Sequence, residues 1–212
     1  MKRLCLFLTF CTAFCVENAN AGAVVNESKT RVESSSDYPF VKGTFDFEAM
    51  VGPVISFTKD PHERPAINYV SEDLRLGVML STPGAESWLR GNTELFAEVF
   101  GGEIYQGPGN GLVGGMLLLR YNFVQPATRL HPYAQIGAGG VYNDIYKNHA
   151  QRLIGAAFEF SLQAGAGVQY MLGEKWAFCV EADYRHISNA GLAARNLGLN
   201  SVGGLAGFSF FF

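Results

Sequence analysis

Two side chains in this sequence have the types and spacing for acyl chemistry, His186 and Ser188. In an extended segment residues two apart leave the same face, so the pair would project together with backbones roughly 7 Å apart. A serine hydroxyl attacks a carbonyl well only when a base takes its proton, and imidazole is the side chain suited to that task near neutral pH. The same pair also reads as ordinary polar residues at the rim of a strand, and spacing alone does not separate the two readings. The elements that position the pair must decide.

From Phe40 onward the chain alternates apolar and polar residues with a period of two, the mark of two-faced strands. Eight such runs stand out: Phe45 to Val51, Asp73 to Leu80, Leu89 to Val99, Val113 to Phe123, Tyr133 to Tyr142, Phe158 to Gln169, Trp176 to Arg185 and Val202 to Phe212. The polar faces carry charges of both signs, Asp46, Glu48, Arg75, Arg90, Glu94, Glu98, Arg120, Glu159, Glu181, Asp183 and Arg185, interspersed with glycine. An even number of alternating strands of about ten residues is the pattern of a small outer-membrane barrel. A soluble lipocalin-type barrel also alternates, but it turns its polar face to water. Mixed charges among glycines suit instead the filled lumen of a barrel too narrow to be a pore. The expected fold is therefore all-β, an eight-stranded antiparallel transmembrane β-barrel.

The connections after the second, fourth and sixth runs, near 81–87, 125–128 and 171–175, read as short, and the others as longer, charged loops. Short turns belong in the periplasm, which puts both termini there and sends strand seven outward. Phe208, Phe210 and Phe212 end the chain on the apolar face, like the terminal signal that outer-membrane assembly machinery reads. With Tyr121, Phe123, Tyr170 and Trp176 they are expected to form a periplasmic-side aromatic girdle.

Ahead of the barrel, Lys2 and Arg3 precede an apolar run of 13 residues, Leu4 to Val16, and Ala19-Asn20-Ala21 offers small residues where a signal peptidase inspects the chain. A bilayer-spanning helix needs about 20 residues, so residues 1–21 are expected to be a cleaved N-terminal signal peptide. Cys5, Cys11 and Cys15 leave with it, and Cys179 alone forms no internal disulfide. Loss of Lys2, Arg3 and Glu17 takes 16 basic and 19 acidic residues to 14 and 18, a formal net charge of −4 that argues against nucleic acid. Residues 22–39 are polar and aperiodic and read as a flexible segment, which leaves residues 40–212 for one barrel domain.

Parity then locates the candidate pair. Counting by twos from Trp176 through Tyr184 reaches His186 and Ser188, and counting back from Phe212 through Val202 reaches Asn200. All three fall on the lipid face at the outer end of neighbouring strands, where they can cluster on an otherwise apolar wall. Polar groups near the interface cost little, so harmless rim residues stay open as a reading.

The run His186-Ile187-Ser188-Asn189-Ala190-Gly191, followed by Asn196, Gly198 and a final strand ending in phenylalanine, resembles the lipid A 3-O-deacylases and the wider acyloxyacyl-hydrolase-like outer-membrane barrels. The resemblance implies an outer-membrane esterase that opens the ester at position 3 of lipid A. In it His186 would be the base and Ser188 the nucleophile. Asn189, Gly191 and Asn196, with nearby backbone amides, would supply oxyanion and substrate contacts. Where this family places a glutamate to orient the histidine, the chain has Asn200. An amide oxygen accepts the imidazole proton but brings no charge to stabilise an imidazolium. Where family members tend to have proline before Asn196, the chain has Arg195, whose expected partner is lipid phosphate or solvent.

No metal site is expected, because His62, His131 and His149 are scattered without cysteine or carboxylate at ligand spacing, and no cofactor is implied. Gly107-Pro108-Gly109-Asn110-Gly111 has no following helix and reads as a turn rather than a phosphate loop. The implied partners are lipid A or lipopolysaccharide as substrate, the surrounding outer-membrane lipids and the barrel assembly machinery, with a homodimer allowed. The competing reading is a catalytically silent structural or adhesive barrel, its motif unused or its loops around 57–66 and 143–153 binding a partner.

Overall fold

The computed structural model describes residues 37–57, 65–84 and 87–212. The expected signal peptide, most of the segment that follows it, His62 and the centre of the 57–66 loop lie outside the described residues. Eight strands form: β1 (Phe45–Ser56), β2 (Asn68–Met79), β3 (Gly91–Gln106), β4 (Gly111–Phe123), β5 (Leu130–Asn143), β6 (Phe158–Met171), β7 (Trp176–Ser188) and β8 (Leu199–Phe211). Each pairs antiparallel with its sequence neighbour, and β1 pairs with β8 to close the barrel. The architecture expected from the alternation is the one found.

The alternation also assigns the faces. In β1, Phe45, Phe47 and Val51 stand on the outer wall, while Asp46, Glu48 and Met50 are buried in the lumen. The outer wall is largely apolar in this way, and an apolar surface of this extent calls for lipid rather than water. Aromatic contacts border it at both ends. Phe45 with Phe212 and Trp176 with Phe210 mark the end near the termini, and Phe158 with Tyr142 and Phe160 marks the other. Strands of 12 to 16 residues exceed the 9–11 or so that a tilted strand needs to cross hydrocarbon.

The lumen is layered. At its centre Arg75 donates to Glu48 and Glu98, each at 2.6 Å, and to both oxygens of Glu181 at 2.9 and 3.0 Å. Arg120 makes a two-pronged contact with Glu48, both bonds 2.9 Å, and lies over the rings of Phe96 and Tyr133. Buried charges of this kind hold only when hydrogen-bonded on several sides, as these are. Toward the termini Phe40, Met79, Val124, Met171 and Phe211 form an apolar plug. At the opposite end Phe100, Leu112, Ile187 and Leu199 pack with Ile145, Leu153 and Ile154 of the β5–β6 loop. The mixed charges expected to fill the lumen occupy its middle. The apolar layers arise because lumen-facing positions near the strand ends are themselves apolar, which closes both mouths.

Two further expectations are corrected. The β3–β4 connection is a tight turn over 107–110, not a long loop, because β3 runs on to Gln106 and Gly107 and Gly109 adopt φ of 108° and 93°. Arg90 is not a lumen charge. It stands one residue ahead of β3 and binds Asp37 at 2.9 Å and the Val124 carbonyl at 2.7 Å. That pair ties Asp37 to the start of β3.

Candidate active site

Strand register builds the site before any loop does. His186 of β7 lies directly opposite Asn200 of β8, and Ser188 opposite Phe160 of β6. Their neighbours Arg185, Ile187 and Ser201 are buried in the lumen, so Tyr184, His186, Ser188 and Asn200 share the outer wall. The parity expectation holds. The level is that of the Phe158 and Phe160 rings, at the end of the barrel away from Phe212.

His186 Nε2 lies 2.9 Å from Ser188 Oγ, and Nδ1 lies 2.7 Å from Asn200 Oδ1. An amide oxygen only accepts, so Nδ1 carries the ring proton and Nε2 presents its lone pair to the serine hydroxyl. The Tyr184 hydroxyl donates to the same Asn200 oxygen, also at 2.7 Å. Gly198 closes against the imidazole from the following loop. It has φ of +75°, and a Cβ built on it would meet His186 Cε1 at 2.9 Å, so only glycine fits.

Beyond Ser188 the chain turns through Ala190 and Gly191, with φ of 53° and 85°. Asn189 is buried and organises that turn. Its Oδ1 accepts the N–H groups of Gly191 and Ala193 at 3.1 and 3.3 Å, and its Nδ2 donates to the Arg195 carbonyl at 3.0 Å and to Glu159 at 3.3 Å. The Asn189 side chain and the Gly191 amide, expected as oxyanion contacts, are therefore committed to the loop. The reason is parity, since odd positions of β7 face inward and Asn189 continues them. Asn196 differs. Its amide oxygen accepts the Asn189 N–H at 2.9 Å, the peptide that follows Ser188, so the side chain is held beside the turn rather than inside it.

A family model described as lipid A 3-O-deacylase (PagL) matches residues 72–209, a span that holds the whole site. The chain belongs to the PagL lipid A 3-O-deacylase family. Among solved structures it is similar to the outer membrane enzyme PagL, at 20% identity over 78% of this chain and 98% of that one, with a TM-score of 0.52. It is also similar to Neisserial surface protein A, at 14% identity over 81% of this chain and all of that one, with a TM-score of 0.55. At these identities the likenesses speak for the fold, that of an outer-membrane barrel. No curated protein sequence matches the chain.

In this PagL-family barrel, Arg195 is a staple and not a free loop charge. Its guanidinium donates to the carbonyls of Tyr146, Asn148 and Gln151 at 2.7, 2.9 and 3.2 Å, joining the β7–β8 loop to the β5–β6 loop. Leu197 and Gly198 donate to the Arg152 and Leu153 carbonyls along the same seam. Glu159 sits beneath it, accepting the Gly155 and Ala156 amides at 3.0 and 2.9 Å besides Asn189. Sequence reasoning missed the roles of Tyr184, Glu159 and Gly198. Tyr184 had a visible signal in its place on the same face two residues before His186, and Gly198 in its place in the run that resembles the family. His131 packs its ring on Phe40 at a centroid distance of 4.5 Å, and His149 is exposed. No group of three or more metal-ligating side chains occurs among the described residues.

Proposed function

We propose that this protein is an outer-membrane lipid esterase that removes the acyl chain ester-linked at the 3-position of lipid A. The observation that carries the reading is the continuous chain of contacts Ser188–His186–Asn200 on the lipid-facing wall at the outer aromatic girdle. A lipid ester held in the outer leaflet meets the wall at that height. Nε2 of His186 takes the Ser188 proton as Oγ bonds to the ester carbonyl carbon. The carbonyl oxygen becomes an oxyanion, and the NH2 of Asn196, whose side chain is tied to the peptide after Ser188, is the donor we assign to it. Collapse breaks the bond to the sugar oxygen, which takes the proton from the imidazolium. Water then repeats the cycle on acyl-Ser188 and releases the fatty acid.

The test is mass spectrometry of lipid A from cells carrying the intact protein or Ser188→Ala, with membrane insertion of both verified. Loss of one ester-linked acyl chain with the intact protein alone supports the esterase. Asn200 is the specific observation favouring a silent structural barrel, since it brings no charge to the imidazolium. Unchanged lipid A in both strains would adopt that second reading.

A further inference from the structure

A carboxylate presents only oxygens to a histidine, whereas a carboxamide presents an oxygen on one side and an NH2 on the other. Turned the wrong way, Asn200 would donate to Nδ1, move the ring proton to Nε2 and leave Ser188 without a base. In a serine protease triad the carboxylate-to-amide exchange costs about 10⁴-fold through that wrong tautomer. Here the amide has its oxygen toward the ring, and the Tyr184 hydroxyl shares that oxygen.

We propose that Tyr184 is a positioning residue of this site, its hydroxyl holding the Asn200 carboxamide with oxygen toward His186 so that a neutral amide selects the competent imidazole tautomer. The proposal rests on the esterase reading of Ser188 and His186. Tyr184 stands on the lipid wall between Ala164 of β6 and Val202 of β8, neither of which carries a polar side-chain atom. On this wall a phenolic hydroxyl has few partners, and leaving it unpartnered in an apolar setting is unfavourable. Asn200 lies on the diagonal, one step of the same face beyond Val202, and its oxygen is the acceptor the hydroxyl reaches. Phenol oxygen is a better donor than acceptor, because its lone pair is drawn into the ring. The contact therefore favours Oδ1 over Nδ2 at the shared position. With the His186 Nδ1 proton it fills both lone pairs of Oδ1. The amide has no second oxygen to offer if it turns.

The experiment uses the intact barrel in detergent micelles with ¹⁵N-labelled histidine, at alkaline pH where the rings are neutral. His186 signals are assigned by their loss in His186→Gln. Tyr184→Phe removes one oxygen and keeps the ring, and Asn200→Asp replaces the amide by an isosteric carboxylate that has no wrong side. The expected result is an Nδ1–H tautomer in the wild type and a shift toward Nε2–H of about 2- to 13-fold in Tyr184→Phe, the Boltzmann factor of one net hydrogen bond. In the Asn200→Asp background, Tyr184→Phe is expected to leave the tautomer at Nδ1–H. Hydrolysis of lipid A should follow it, kcat falling in Tyr184→Phe with KM unchanged and the fall shrinking below about 2-fold beside Asn200→Asp. An unchanged tautomer in Tyr184→Phe, or an equal loss of kcat in both backgrounds, overturns the proposal. A tautomer shift in a protein that hydrolyses nothing supports the positioning role and overturns the esterase reading instead, so the two fail separately.

Discussion

Replacing Gly198 by alanine tests whether the loop, and not only the strand register, holds the imidazole. The new Cβ would stand 2.9 Å from His186 Cε1, and ordinary contact begins near 3.4 Å, so the ring must retreat by about 0.5–1 Å. It has little room to do so, because both nitrogens are already engaged at 2.7 and 2.9 Å and hydrogen bonds weaken beyond about 3.2 Å. A misplacement of about 1 Å in a catalytic group costs on the order of 100-fold in rate. Alanine at positive φ adds about 1–2 kcal/mol of backbone strain, too little to unfold a closed barrel. Gly191→Ala is the matched control, since Gly191 has φ of +85° but nothing within 4 Å of its Cβ position. Fatty-acid release from lipid A in micelles should therefore fall about 100-fold in Gly198→Ala and less than about 5-fold in Gly191→Ala, with both barrels folded. Similar rates for the two variants would refute the reasoning, because only the shared backbone strain would then be at work.

Arg195→Ala should remove the staple between the two outer loops, loosening the Asn196 amide and lowering kcat by about 10- to 100-fold while the His186 tautomer stays put; an unchanged kcat would dismiss the staple. Glu48→Gln leaves Arg75 and Arg120 buried without their shared carboxylate and should cost about 3–5 kcal/mol in denaturant unfolding, against which an unmoved midpoint would count. Asp144 in the β5–β6 loop is partly desolvated, which raises its pKa, but the Asn110 and Gly111 donors and Lys147 outweigh this and hold it below its ordinary value. Its carboxylate therefore supports the β3–β4 turn above an unfolded-state pKa of about 3.9 and loses that support as pH falls through the lower folded value. The Gly111 amide resonance should move in that acid range and cease to do so in Asp144→Asn.

Period-two alternation made the barrel legible, because in a closed sheet every residue must face either lipid or lumen and the chain rarely breaks that rule. Parity from Trp176 and from Phe212 likewise put His186, Ser188 and Asn200 on one wall. What alternation could not supply was anything set by a loop. The family resemblance implied Asn189 as a contact for substrate, yet continuing the inward parity buries it and turns it into the organiser of the turn. Arg195 looked solvent-facing or lipid-facing because three carbonyls of a distant loop are invisible in a local reading. Arg90 failed for the opposite reason, since it keeps lumen parity but lies ahead of the first paired residue of β3.

The site thus has two supports of different kinds. The His186–Asn200 contact comes from β7–β8 pairing, and a one-residue slip of β7 would turn His186 and Ser188 into the lumen and leave Asn200 on the wall. Register is in turn pinned from inside, where Arg75 of β2 bonds Glu48 of β1, Glu98 of β3 and Glu181 of β7. The buried ion network therefore acts on the outer-wall chemistry without touching it, by holding the strands in the one alignment that faces His186 and Ser188 to lipid. The Asn196 amide has no such anchor. It depends on Asn189, Glu159 and the Arg195 staple, all in or against the loop seam. Damage to the network should consequently take stability and activity together, whereas damage to the seam should take activity from a barrel that still folds.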